Sequence, residues 1–206
     1  MVRMTPVLLI IAALCGCSKP HKPVSDKASA DMPLPVTNNS QPKLTLKAVA
    51  KLPDDTLEDV ATTNTFDKVK CDASTGKEML AALSHGQKII YITSTLEGDV
   101  FNGGFHQYFC NTGGQFAIDA FYAYKEIGAV KHANLVGRAI VVAVKEKGLR
   151  DSIKQSQNQL EAFAASYKKT ELGELDDEFY RLEDEEPAWP LRAKYIRKHA
   201  DEFVEK

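Results

Sequence analysis

Apolar positions recur at helical spacing along most of this chain, and turn residues cut the pattern into segments. Two capping-box patterns open such segments: Thr75 with Glu78 before Met79, Leu80 and Leu83, and Ser84 with Gln87 before Ile89, Ile90, Ile92, Thr93 and Leu96. The β-branched run over 89–95 also suits a strand, but the caps ahead of it and its rhythm favour helix. Residues 116–127 are strongly apolar up to Gly128, and 129–147 follow with Ala133, Leu135, Val136, Ile140, Val141 and Val144 up to Gly148. Two helices joined at Gly128 form a predicted hairpin. A further helix is predicted over 152–167 with Leu160, Phe163 and Ala164 inward, and another over 174–184 on Leu175, Phe179 and Leu182, stopped by Pro187. The last starts near Pro190, with Leu191, Tyr195, Ile196 and Phe203 on one side and Arg192, Lys194, Arg197 and Lys198 on another. Ahead of all these, Pro53 and the polar run Thr62-Thr63-Asn64-Thr65 argue for loops, and little regular structure is expected before about residue 65. The fold class is all-α: a single helical domain over 66–206, no internal repeat, and 44% hydrophobic residues to supply its core.

The stretch over 101–114 is the least average in composition, with four aromatics, four glycines and two asparagines in fourteen positions. Asn102 suits an N-cap, Gly103 and Gly104 admit a close backbone, and Phe105, Tyr108 and Phe109 at i, i+3 and i+4 make one aromatic face. Asn111 and the pair Gly113-Gly114 suit a left-handed helix end. The segment reads as a rigid corner between two helices, with His106 and Gln107 on the side away from the aromatics and open to a partner.

The start of the chain carries a different pattern. Arg3 precedes an apolar run over 7–14, about half the roughly 20 residues of a spanning helix, so residues 1–16 read as an export signal. Leu14-Cys15-Gly16-Cys17 resembles the lipobox of bacterial lipoproteins, and the resemblance implies a lipid on the sulfur of Cys17, which becomes the first mature residue and a membrane partner. Ser18 follows where an aspartate would favour inner-membrane retention, so the expected location is the cell envelope, on the outer membrane facing the periplasm. The stretch over 18–42 has five prolines and no aromatic, too little apolar surface to offset its ordering entropy; residues 17–65 are expected to be tether and loops.

The formal charge of −2 excludes nothing by itself, but a sequence pI of about 6.2 argues against direct nucleic-acid binding, which calls for a basic patch or an elevated pI. Acidity is local: residues 151–206 hold 14 acidic and 9 basic side chains, with Glu171, Glu174, Asp176, Asp177, Glu178, Glu183, Asp184, Glu185 and Glu186 interrupted by Arg181. Such a run is either a solvated face or a partner surface. His21, His85, His106, His132 and His199 are scattered, no metal motif or phosphate loop appears, and no cofactor is expected. No enzyme signature is present either; the rival enzymatic reading rests on His106 with a carboxylate.

The string Asn102-Gly-Gly-Phe-His-Gln-Tyr-Phe, with Asn111 and Ile127-Gly128-Ala129, resembles the DNA-mimic-protein-19-like domain family. Ser84-His85-Gly86-Gln87, Leu175-Asp176-Asp177-Glu178-Phe179-Tyr180, and Tyr195-Ile196 before His199 are similar too, over roughly residues 75–204. For the family's named member the resemblance implies an acidic α-helical dimer that occupies the DNA-binding face of a transcription factor. An export signal departs from that setting, so the expectation here is a lipid-anchored envelope domain binding a protein partner through Asp176, Asp177, Glu178 and Glu183 to Glu186 or through His106 and Gln107, with an immunity-like role as one version. Cytoplasmic DNA mimicry is the alternative, and a homodimer is a further possibility. Cys71 and Cys110 would remain after maturation; a disulfide between them would close a loop of about 40 residues, and two buried thiols is the other reading.

Overall fold

The computed structural model describes residues 43–69, 78 and 80–204. Within them nine α-helices run in order: α1 (Leu46–Lys51), α2 (Asp54–Lys68), α3 (His85–Thr112), α4 (Ala117–Glu126), α5 (Val130–Lys145), α6 (Lys147–Gln155), α7 (Gln159–Ser166), α8 (Gly173–Glu185) and α9 (Trp189–Lys198), followed by a 3₁₀ turn at Ala200–Glu202. The fold is all-α, with no strand among the described residues. The expected signal over 1–16, Cys17, the Pro-rich stretch, Thr75 and Cys71 lie outside the described residues.

The axis of the fold is α3, which packs against α2, α4, α5 and α8. Its start obeys the sequence: the Ser84 hydroxyl accepts the Gln87 N–H, and the Gln87 side chain accepts the Ser84 N–H. The β-branched run over 89–95 is helical, with Ile90 and Leu96 fully buried. At Gly128, φ is +88°, and α4 and α5 fold back on each other there as predicted. The opposite flank of α5 lies on α8, and α9 lies across α2.

Three sequence expectations need correction. The region before residue 65 is helical rather than looped: Leu44, Val49, Leu57, Val60 and Ala61 are buried core residues on or beside α1 and α2. Pro53 sits at the N-cap of α2, where its missing N–H costs nothing. The threonines that looked like a loop satisfy themselves within the helix, Thr65 donating to the Ala61 carbonyl at 2.7 Å and Thr62 to Glu58 at 3.2 Å. The helix expected over 152–167 is two helices, because Asn158 caps a new start by accepting the Glu161 N–H. That restart changes the phase, and Leu160 is 80% exposed and Ala164 exposed instead of inward. The same redrawing of the helices over this stretch puts Gly148 inside α6 instead of at the end of α5.

The third correction concerns Arg192, which faces inward. It is 4% exposed, and its Nε donates to Glu58 of α2 at 2.6 Å while Nη1 donates to Glu97 of α3. Glu97 also accepts from the Tyr124 hydroxyl of α4 at 3.2 Å; the Tyr124 ring stacks on His132 of α5 at 5.3 Å, and His132 Nε2 donates to Glu183 of α8 at 2.6 Å. One polar chain therefore passes through six helices. Burial pushes the Glu97 carboxyl up despite Arg192, whereas burial pulls Arg192 down and is outweighed by Glu97 and Glu58. The chain is satisfied only as a unit, and removing one member would strand a buried charge.

Gly104 and Gly128 offer a graded test of backbone geometry. Gly104 has φ of +71° and an added Cβ would overlap the Asp176 carboxylate, whereas Gly128 faces open space. Gly128→Ala should cost about 1–2 kcal/mol for left-handed backbone alone, and Gly104→Ala about 3 kcal/mol or more. Urea unfolding midpoints decide it; equal losses would contradict the Asp176 contact.

Candidate functional site

The sequence-predicted corner is a kink within α3, not a junction between separate helices. Only Gly103 (φ −170°, ψ 31°) and Gly104 (φ +71°, ψ 179°) leave the helical region, and the chain resumes its helix at Phe105. Interrupting the i to i−4 ladder frees backbone groups that need partners. They find them on two later helical segments. The Asp176 carboxylate of α8 accepts the Phe105 N–H at 2.7 Å, the Tyr180 hydroxyl donates to the Val100 carbonyl at 2.9 Å, and the Tyr167 hydroxyl donates to the Gly103 carbonyl at 2.7 Å. Asp99 lies before the kink and accepts from Asn111 beyond it at 2.8 Å, with Gln107 as a second partner. Apolar packing closes the same place: the Phe179 ring meets Phe101 at 5.6 Å and Phe105 at 5.7 Å, both edge to face.

The predicted site residues divide accordingly. Phe105, Tyr108 and Phe109 are buried as expected, and Gly113 ends α3 in the left-handed conformation with φ of +62°. Asn102 is exposed and caps nothing described; Asn111 serves Asp99 rather than a turn. His106 is not open to a partner: it is fully buried, stacked on Phe163 at 5.2 Å and edge-on to Tyr167 at 5.0 Å. Its Nε2 donates to the Ser166 hydroxyl at 2.6 Å, which in turn donates to the Phe163 carbonyl. Burial holds its imidazole below the ordinary pKa, which keeps it neutral. Gln107 is half-buried at Asp99. Cys110 lies half-buried with its Sγ 4.0 Å from His106 Nε2, and burial raises its thiol pKa; its expected partner Cys71 is outside the described residues.

The acidic array is likewise split by the fold. Asp176 is spent on the kink, and Glu183 has a side chain 7% exposed against His132. The Arg138 Nη1 donates to both Glu178 carboxylate oxygens, and Glu186 pairs with Lys131, the two cations standing on exposed α5 positions. Glu174, Asp177, Asp184 and Glu185 remain on the solvent side, with Arg181 among them. Between α5 and α8 runs an open groove of about 370 Å³. Leu135 and Leu182 line it, Lys131 and Arg138 stand on the α5 rim, and Glu178 and Glu185 stand on the α8 rim. Sequence reasoning missed this groove because its two walls are some forty residues apart. Tyr180 was within reach: it stands one turn after Asp176, on the same face of α8. Among the described residues no group of three His, Cys, Asp or Glu converges as metal ligands, and no helix is long and apolar enough to cross a membrane.

A family model described as DMP19-like protein matches residues 81–199, from just before α3 through α9, so α1 and α2 precede the matched region. No curated protein and no solved structure matches the chain.

Asp176 gives the site a pH signature. Burial, only partly offset by the Phe105 N–H, pushes its carboxyl up to about 6 from an ordinary value of 3.8. A carboxyl raised in the folded state contributes stability below its unfolded pKa and loses it as pH rises through the folded one. Wild type should therefore lose stability relative to Asp176→Asn between pH 4 and pH 7, since the amide oxygen still accepts the Phe105 N–H without titrating. Denaturant unfolding of both proteins across that window checks it, and a constant difference would refute the assignment.

Proposed function

The chain belongs to the DMP19-like protein family, and from that premise we propose that it is a protein-binding domain held at the bacterial envelope by a lipid on Cys17. The observation that carries the binding role is the groove between α5 and α8. It joins an apolar floor, Leu135 and Leu182, to charged rims of both signs, with the carboxylates of Glu178 and Glu185 on the α8 side. An apolar centre with a polar rim is the anatomy of a protein interface. The anchor rests on the lipobox-like Leu14-Cys15-Gly16-Cys17, and the immunity-like role stays one version of this reading, with a basic protein as its target.

Cytoplasmic DNA mimicry is the second reading, since the resemblance implies it for the family's named member. Mimicry needs carboxylates repeated like phosphates along a duplex. Here Asp176 and Glu183 point into the protein, and Lys131, Arg138 and Arg181 stand among the remainder. The surface is thus of mixed sign and fits a protein face better than a phosphate row. For His106, full burial offers no route to a substrate, and no catalytic role is proposed.

Metabolic labelling with a fatty-acid analogue in the native host should mark the wild type and not Cys17→Ala. An unlabelled, full-length chain in the cytoplasm would overturn the anchor and favour mimicry. For the binding face, Asp184→Lys with Glu185→Lys should weaken capture of a partner and flatten its salt dependence; unchanged affinity would remove the acidic rim from the interface.

A further inference from the structure

The helix α5 has a second face, which meets the groove only at Asn134. Val130, Asn134, Gly137, Val141 and Val144 follow one another at steps of four, three, four and three residues. That alternation is the spacing of a coiled-coil seam. The three valines are 54%, 56% and 70% exposed, while the residues that hold α5 to the core, Ala133, Leu135, Val136, Ala139 and Ala143, are buried elsewhere on its circumference. Gly137 leaves a gap in the middle of the seam, and its floor is apolar: a Cβ built there would lie 3.4 Å from the Phe121 ring. Alongside on α4, Ile118 and Tyr122 stand one turn apart and are 56% and 62% exposed. Isolated exposed valines are ordinary, but an ordered row of them beside two further large apolar residues marks an interaction surface.

Charge decides what covers it. Lys131, Arg138 and Lys145 repeat every seven residues along one flank of the seam, and all three are exposed. Two copies of α5 packed antiparallel would set this cationic row against itself, and like charges at that position select against pairing. Parallel copies would need the other flank, where Ala133 is buried and Ile140 is partly buried in the core. Glu178 and Glu186 neutralise Arg138 and Lys131 only through solvent-exposed pairs, which contribute little and exchange readily.

We propose that the outer face of α5 docks an amphipathic helix of a partner protein whose apolar stripe is flanked by carboxylates, with a bulky side chain entering the gap at Gly137. The seam meets the acidic rim of α8 only along its cationic flank, where Lys131 and Arg138 pair with Glu186 and Glu178, so its valines can be tested apart from Asp184 and Glu185.

The probe is a labelled helical peptide of three heptads with one Leu/Ile stripe flanked by Glu, titrated against the full chain by fluorescence anisotropy. A matched peptide with Lys for Glu is the control. The Glu peptide should bind at least about tenfold more tightly than the Lys peptide, and Val141→Ser with Val144→Ser should weaken it by about tenfold or more. Lys145→Glu should weaken it as well, and added salt should do the same. Asp184→Lys with Glu185→Lys should leave the seam's affinity no weaker, which separates this inference from the acidic-rim reading. Both valines are exposed, so the serine variant should keep the wild-type circular dichroism and unfolding midpoint. Equal binding of the two peptides, no binding, or indifference to the valine substitutions would overturn the proposal. So would self-association in sedimentation that the serine variant abolishes, which assigns the seam to a second copy. Partition into phosphatidylglycerol vesicles that the serine variant abolishes, without Glu-peptide binding, would assign it to a membrane surface instead.

Discussion

Everything in this fold has to accommodate one guanidinium placed where water does not reach. Arg192 cannot shed its proton, so its charge must be met by carboxylates, and the two that meet it come from α2 and α3. Glu97 then draws in the Tyr124 hydroxyl, and the Tyr124 ring lies on His132, which needs Glu183. A greasy contact tolerates a slipped neighbour, whereas a buried ion pair with a short hydrogen bond does not. Removing one partner of such a pair typically costs about 3–5 kcal/mol, much of it the penalty for the charge left behind. Six helices are thereby fixed in register by direction-dependent contacts, over and above the apolar packing around α3.

The kink in α3 follows the same logic on the backbone. A straight helix through Gly103 and Gly104 would need no help from α8; a broken one needs a carboxylate for the Phe105 N–H and hydroxyls for two carbonyls. The residues that carry the family resemblance, Asn-Gly-Gly-Phe on α3 and Leu-Asp-Asp-Glu-Phe-Tyr on α8, meet at this point. Gly104, Phe105, Asp176, Phe179 and Tyr180 form one structural device that bends a helix and locks it. These residues of the resemblance are spent on how the domain is built.

Local signals were legible. The Ser84 cap, the Gly128 hairpin, the left-handed Gly113 and the buried Phe105, Tyr108 and Phe109 all follow from neighbours within four or five residues. What was not legible depends on pairing across the chain. Thr62 and Thr65 look like loop residues until their hydroxyls bond back within α2, and Arg192 looks like a surface cation until Glu58, more than a hundred residues away, supplies its partner. His106 shows the same limit: its place beside two aromatics and two glycines pointed outward, but α7 brings Phe163 and Ser166 over it. Nine acidic residues in a row of sixteen suggested one continuous surface, and helical geometry instead turned Asp176 and Glu183 inward.

Arg197 gives the N-terminal helices a mechanical meaning. From α9 it donates to the Val49 and Leu52 carbonyls and to Asp54, clasping the end of α1 and the start of α2 at once. With Arg192 holding Glu58 one turn further along, the first described helices are fastened to the last one. Tension arriving from the N-terminal side would be carried in shear by these clasps into α9, and Arg192 would pass part of it through Glu97 into α3. A domain wired in this way takes a pull on its first described helices at its last one, through directional bonds rather than apolar contact.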